Sequence, residues 1–168
     1  MWFPAFRRDR RISSAKKTDS FMGSDLSFED LTNRSLADYK YKLLNSNIDC
    51  KYNGTLYKDK CYELESKPED LNTEYDKHIT TVLNIEKDVY VAIYETSYDK
   101  NNPPKRLKEK SIIYNVYNDG EKVFYIMNTL IVENVQDDHT TELYVSKINI
   151  NNGFEAEMFG VMSLKRLP

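Results

Sequence analysis

The sequence predicts a mainly β chain, a curved antiparallel meander whose sheet forms an incomplete, half-closed β-barrel with short helical turns. Three observations carry that expectation. Apolar and polar residues alternate with a period of two, as in Tyr39-Lys40-Tyr41-Lys42-Leu43. Thirteen tyrosines are present among 168 residues, and amphipathic rings suit a half-buried pleated surface. The breaks between alternating runs are short. Tight connections join antiparallel neighbours, whereas a parallel crossover takes roughly a dozen residues or more.

The first element is basic. Arg7, Arg8, Arg10, Arg11, Lys16 and Lys17 stand against Asp9 alone within residues 1–17, so the rest of the chain is acidic. As a strand, Phe6, Arg8, Arg10 and Ile12 fall on one face and Ala5, Arg7, Asp9 and Arg11 on the other. A strand charged on both faces is an edge, or is covered by something outside itself. Ser13 to Asp25 reads as a polar loop hinged at Gly23. Ser27 to Leu31 reads as a short helical turn, with Ser27 as N-cap and Glu29 and Asp30 at its positive end.

From Asp38 onward strands and turns follow in succession. Tyr39 to Leu43 is a strand with one wet face, ended by Asn45-Ser46-Asn47. Cys50 to Tyr57 is the next, Lys58-Asp59 turns it, and Lys60 to Ser66 follows until Pro68 stops it. Asp70 to Lys77 reads as irregular or briefly helical, and His78 to Ile85 and Val89 to Tyr98 pair around Glu86-Lys87-Asp88. Asn101-Asn102-Pro103-Pro104 is a strong break, because proline lacks the ladder donor and restricts its predecessor. Leu107 to Tyr117 and Val123 to Val135 flank Asp119-Gly120, the best hairpin signal in the chain. Gln136-Asp137-Asp138 turns into Thr140 to Ile150, and Asn151-Asn152-Gly153 ends it. Phe154 to Met158 reads as one helical turn before a last strand, Gly160 to Leu167.

The expected count is eight or nine strands. Val89, Val91, Ile93, Val123, Tyr125, Met127 and Ile131 give the sheet a greasy side. No long amphipathic helix covers it, so the sheet closes on itself or is covered by another segment or a partner. An apolar lining serves equally as a core or as a cavity for acyl chains.

Composition excludes several functions. Lys plus Arg number 24 and Asp plus Glu 27, for a formal charge of -3. Mean hydropathy is -0.69, and no apolar run is long enough to cross a bilayer. Residues 1–168 fit one domain. Met1 to Phe6 is apolar but too short for a signal-peptide core. The two histidines, His78 and His139, stand in no catalytic motif. No zinc spacing and no glycine-rich phosphate loop occurs. The reading is a non-enzyme with no catalytic residue, no metal and no cofactor. Trp2, Phe3 and Phe6 beside the arginines would suit single-stranded nucleic acid, but the acidic remainder repels a polyanion, so none is expected. Cys50 and Cys61 suit either a disulfide between adjacent strands or two half-buried thiols.

The run Pro4-Ala5-Phe6-Arg7-Arg8-Asp9-Arg10-Arg11-Ile12, then Ser20-Phe21-Met22-Gly23-Ser24-Asp25 and Phe28-Glu29-Asp30-Leu31, resembles the LolA-like family of outer-membrane lipoprotein-sorting proteins. Cys61-Tyr62-Glu63-Leu64-Glu65 before Pro68, His139-Thr140-Thr141 and a closing Leu164-Lys165-Arg166-Leu167 follow in that family's order. The resemblance implies a LolA/LolB-like half-barrel holding acyl chains under a helical lid, in the periplasm, as a carrier of lipid or lipoprotein. An inner-membrane transporter is the implied partner. Relatives carry a leader, a helix and strands ahead of the arginine run, so the N-terminal strands and lid helix are expected to be missing here.

On that reading Ser20, Phe21, Met22, Gly23, Ser24 and Asp25 form the signature loop. Trp2, Phe6, Phe21, Met22, Phe28 and Leu31 are the expected lipid-binding residues. Arg7, Arg8, Arg10 and Arg11 would meet headgroups or an acidic partner, since guanidinium forks match phosphate. The simpler alternative leaves Phe21 and Met22 as a plug and the arginines as a charged edge. The alternative function is a protein-interaction module whose open sheet docks on an envelope transporter or membrane partner.

Overall fold

The computed structural model describes residues 2–3, 8–9, 16–120, 122–150 and 153–160. Trp2–Phe3 (β1) and Arg8–Asp9 (β2) form a two-residue antiparallel ribbon. Seven longer strands follow: β3 (Tyr39–Tyr52), β4 (Thr55–Pro68), β5 (Tyr75–Glu86), β6 (Val89–Asp99), β7 (Arg106–Asn118), β8 (Val123–Asn134) and β9 (His139–Tyr144). Each pairs only with its neighbours in sequence, so the sheet is one antiparallel meander in the order β3 to β9. It does not close into a barrel, and its described helical pieces are short 3-10 turns such as Leu36–Asp38 and Ala156–Phe159. The expected fold class holds.

The element count is corrected. Three strands were expected between Asp38 and Pro68, but the structure has two of fourteen residues each, joined at Asn53-Gly54. Asn53 and Gly54 have φ of 46° and 79°, the left-handed pair that a two-residue hairpin loop requires. Asn45-Ser46-Asn47 and Lys58-Asp59 are not turns. They sit where the β3–β4 register shifts, with Asn47 and Asp59 themselves at φ 53°. Bulges and turns draw on the same residues, because both need Asn or Asp to accept a left-handed φ. Tyr75 to Lys77 belongs to β5, and β9 stops at Tyr144 rather than Ile150. Ser27 to Leu31 is a hydrogen-bonded turn, not a helix. Of the basic first strand, only Arg8–Asp9 lies among the described residues, and the expected strand beyond Gly160 lies outside them.

Register sorts the side chains onto two faces. Tyr62, Leu64 and Ser66 of β4 share a face with Val82, Thr80 and His78 of β5, while Cys61 and Leu83 point the other way. The first face continues through Glu95 and Ser97 of β6 to Lys110 and Lys108 of β7. Burial changes face along the sheet. At one end His78 and Ser97 are fully buried, and at the other Cys61 and Leu83 are. The apolar cluster around Cys61, Leu83, Val91 and Ile93 gathers Ile48, Tyr57, Tyr114 and Tyr125, so strands from β3 to β8 converge on it. Convergence of that breadth needs a curled sheet. Cys50 and Cys61, with Cα atoms 6.0 Å apart, form a disulfide that ties β3 to β4 across their bulge.

Candidate functional site

Residues 16–38 cross the first face as a strap with almost no secondary structure. Within it the Ser20–Asp25 loop is a small hairpin. Ser20 bridges Ser27, and the Phe21 amide donates to the Leu26 carbonyl at 2.7 Å. Met22 and Gly23 make the turn, with φ of 53° and 77°. Methionine at φ > 0 is uncommon, and Gly23 makes the reversal feasible. Asp25, at the far end of the loop, reaches β9: its Oδ2 accepts from Thr141 Oγ1 at 2.6 Å and lies 2.7 Å from His139 Nδ1. Thr141 Oγ1 in turn accepts from the Asp25 amide at 2.9 Å. Two sequence motifs more than a hundred residues apart are thus one contact.

Asp30 fixes the middle of the strap. The Ser27 amide donates to its Oδ2 at 2.9 Å while Ser27 Oγ accepts from the Asp30 amide, a reciprocal cap on a single turn. The same carboxylate meets Lys110 at 2.6 Å, Lys108 at 3.1 Å and the Tyr75 hydroxyl at 2.9 Å. Four residues on, Arg34 grips Glu95 with both guanidinium nitrogens, at 2.6 and 2.9 Å, and Lys110 reaches Glu95 at 3.1 Å. Such two-pronged pairs are the geometrically specific form of this interaction.

Burial alone would raise the Asp30 and Glu95 carboxyls. The cations beside them, Lys110 first in each case, outweigh it and hold both well below the usual carboxylate range. His78 lies in the same pocket with Nδ1 2.8 Å from Ser97 Oγ, and burial, reinforced by Arg34, pushes it down to about 3. It is a neutral, buried histidine. The network clamps the strap on β5, β6 and β7.

The opposite face of those three strands carries a groove. Thr81, Tyr94 and Ser111 are consecutive cross-strand partners there, each one residue from Thr80, Glu95 and Lys110 on the clamped face. The β6–β7 ladder ends at Tyr94–Ser111, and the strands part beyond it. The opening is an apolar groove of about 440 Å³ lined by Cys50 to Asn53, Thr81, Ile93, Tyr94 and Ser111 to Ile113. The β3–β4 hairpin, held by its disulfide, forms one wall. Tyr94 keeps its proton: burial and a 2.5 Å hydrogen bond to Glu109 push its pKa up to about 12. A polar cleft of about 500 Å³ lies instead between the signature loop and the β8–β9 turn, where Asp25, Glu74, Asp137 and His139 face Lys108. Among the described residues no group of His, Cys, Asp and Glu is arranged to hold a metal ion.

The residues singled out from sequence are placed as follows. Phe21 and Phe28 stack edge-to-face at 5.6 Å within the strap. Met22 and Leu31 are largely exposed, and none of these four lines the groove. Trp2 and Arg8 lie in the short ribbon, while Phe6, Arg7, Arg10 and Arg11 lie outside the described residues. Val91, Ile93 and Tyr125 of the expected greasy side do meet in one cluster. Sequence reasoning missed Arg34, Lys108 and Lys110, and it did not gather Cys50 and Ile93 into one groove with Tyr52, Tyr94 and Ser111 to Ile113. One signal was present: burial recurs at every second residue from Val91 to Asp99, with the polar Glu95, Ser97 and Asp99 at those positions, although a register shift between Ala92 and Tyr94 turns Glu95 and Ser97 to the face opposite Val91.

A strapped antiparallel meander with an apolar groove on its free face defines a LolA-like half-barrel. The chain belongs to the family described as "Uncharacterized protein", whose profile matches residues 1–166. No curated protein matches it. Among solved structures it is similar to a domain from Vibrio parahaemolyticus named for outer membrane lipoprotein sorting, with 29% identity and a TM-score of 0.80 over 98% of this chain. It is also similar to a DUF1329 family protein from Desulfovibrio piger, with 26% identity and a TM-score of 0.77 over 97%. The chain spans 64% and 62% of the lengths of those two proteins.

Proposed function

We propose that this chain is a non-enzymatic carrier of the bacterial periplasm that holds a lipid or lipoprotein acyl chain in the groove beside the Cys50–Cys61 hairpin. The groove itself carries the reading: about 440 Å³, mostly apolar, on the face the strap leaves uncovered. That volume falls in the range of small-ligand sites, roughly 300–1,000 Å³. Burying a methylene contributes about 0.8 kcal/mol, so a few of them suffice for reversible binding. Similarity to a domain named for lipoprotein sorting supports acyl cargo. The disulfide supports an oxidising compartment such as the periplasm. The transfer partner in this scheme is a membrane transporter that hands the acyl chain over.

Native mass spectrometry of the protein incubated with palmitate tests the proposal. A one-to-one adduct is expected, lost in Ser111→Trp, whose side chain fills the groove, while the melting curve stays intact. Absence of any adduct with palmitate or a lysophospholipid would overturn it. The alternative, a protein-docking module, draws on a different surface. Tyr41, Leu43 and Tyr90 lie on the strap's face beyond its reach, 47%, 53% and 55% exposed. An envelope partner whose binding is lost in Leu43→Asp, from a protein that takes up no palmitate, would favour that alternative.

A further inference from the structure

We propose that Tyr52 and Tyr114 form the end wall of the groove and set the length of acyl chain it accepts. The inference rests on the acyl reading above and deepens it. When β6 and β7 part beyond Tyr94–Ser111, their facing backbone groups lose their ladder partners. Buried backbone groups need replacements, because leaving one unpaired is costly. Two tyrosines supply them. The Tyr114 amide of β7 donates to the Tyr52 hydroxyl at 2.8 Å, and the Tyr114 hydroxyl donates to the Ala92 carbonyl of β6 at 2.9 Å. Tyr52 is the last residue of β3, which in sheet order lies beyond β4 and β5 from β6, so the curl of the sheet brings it here.

The brace stands where the groove stops. On β7 the lining runs from Ser111 to Ile113, and Tyr114 is the next residue. On β6 it runs from Tyr94 to Ile93, and Ala92 is the next. Both lining runs end one residue short of a hydrogen bond made by the pair. Tyr52 itself lines the groove, so its ring faces the end of any chain lying between the strands. Tyr57, whose ring centroid is 6.5 Å away, packs beside it, and the disulfide lies two residues before it. A chain longer than this space must leave its surplus in water and gains nothing from it.

A series of saturated fatty acids from octanoate to stearate, titrated by displacement of a dansylated fatty acid, reads the wall directly. In the unaltered protein, affinity rises about fourfold per methylene and then stops rising at one chain length. Tyr52→Ala removes the ring and moves that limit to longer chains. Tyr52→Trp fills more of the groove and moves it to shorter ones. Tyr52→Phe keeps the ring, loses the hydrogen bond and leaves the limit in place. A limit unchanged in both Tyr52→Ala and Tyr52→Trp overturns the end wall while the acyl reading stands. Failure of the unaltered protein to bind any member of the series overturns the acyl reading, and the end wall with it.

Discussion

Replacing Lys110 with methionine keeps the length of the side chain and removes its charge. The side chain is 8% exposed and bridges Asp30, 1% exposed, at 2.6 Å and Glu95, 9% exposed, at 3.1 Å. Without it two buried carboxylates lose a shared cation. Asp30 retains Lys108, and Glu95 retains Arg34, so neither is wholly abandoned. Breaking one side of a buried pair costs about 3–5 kcal/mol, and the remaining cations place the expected loss near the lower figure. Against a typical domain stability of about 5–15 kcal/mol, that is a large fraction. In a chain of this size about 1 kcal/mol moves the melting point by about 2–4 °C, so a drop on the order of 10 °C is expected. Urea unfolding at neutral pH measures the loss directly. A single-variant loss below about 1 kcal/mol, the level of an exposed ion pair, would refute the clamp.

Other consequences are independent of that variant. His78 is held neutral down to about pH 3 in the fold but protonates near its ordinary value when unfolded, so the unfolded chain binds the extra proton. Stability is therefore full above about pH 7 and falls as acid is added, by at most about 1.4 kcal/mol per pH unit between pH 6 and 5. Asp30 and Glu95, with lowered values, add to the loss only at lower pH, where unfolded carboxylates protonate. Denaturation midpoints at stepped pH, compared with His78→Asn, read that window; an identical slope in the variant would contradict it. Replacing both Cys50 and Cys61 with serine removes a cross-link over eleven positions, for an expected loss of about 3 kcal/mol in chemical denaturation. Asp25→Ala breaks the contact with Thr141 and His139 and is expected to cost about 1 kcal/mol. Faster amide exchange across residues 18–30, with β5 and β6 unchanged, is the signature of that local release.

The meander was legible in the sequence because period-two alternation and short connections are local properties. Its exact turns were less so. Asn47 and Asp59 look like turn residues because their left-handed φ does the same work in a bulge. The Asn53-Gly54 dipeptide carried the correct signal between two false ones. Asp25 and His139 could be noticed separately, but pairing across more than a hundred residues is set by the path of the strap. The same holds for Arg34 and Asp30. Helix-start preference accounts for Asp30 locally, and only the fold shows it meeting Lys108 and Lys110. The groove was hidden for a different reason. It exists because two neighbouring strands part, and no residue pattern records that parting.

The central claim is that an acyl chain lies between β6 and β7, on the face opposite the strap. Palmitate carrying a photoreactive diazirine near its methyl end, irradiated in complex with the protein and mapped by peptide mass spectrometry, tests it most directly. Cross-links to Tyr52, Ile93, Tyr94 or Ser111 to Ile113 are the expected result. Cross-links confined to Phe21, Met22, Phe28 and Leu31, or none that unlabelled palmitate competes away, would contradict it.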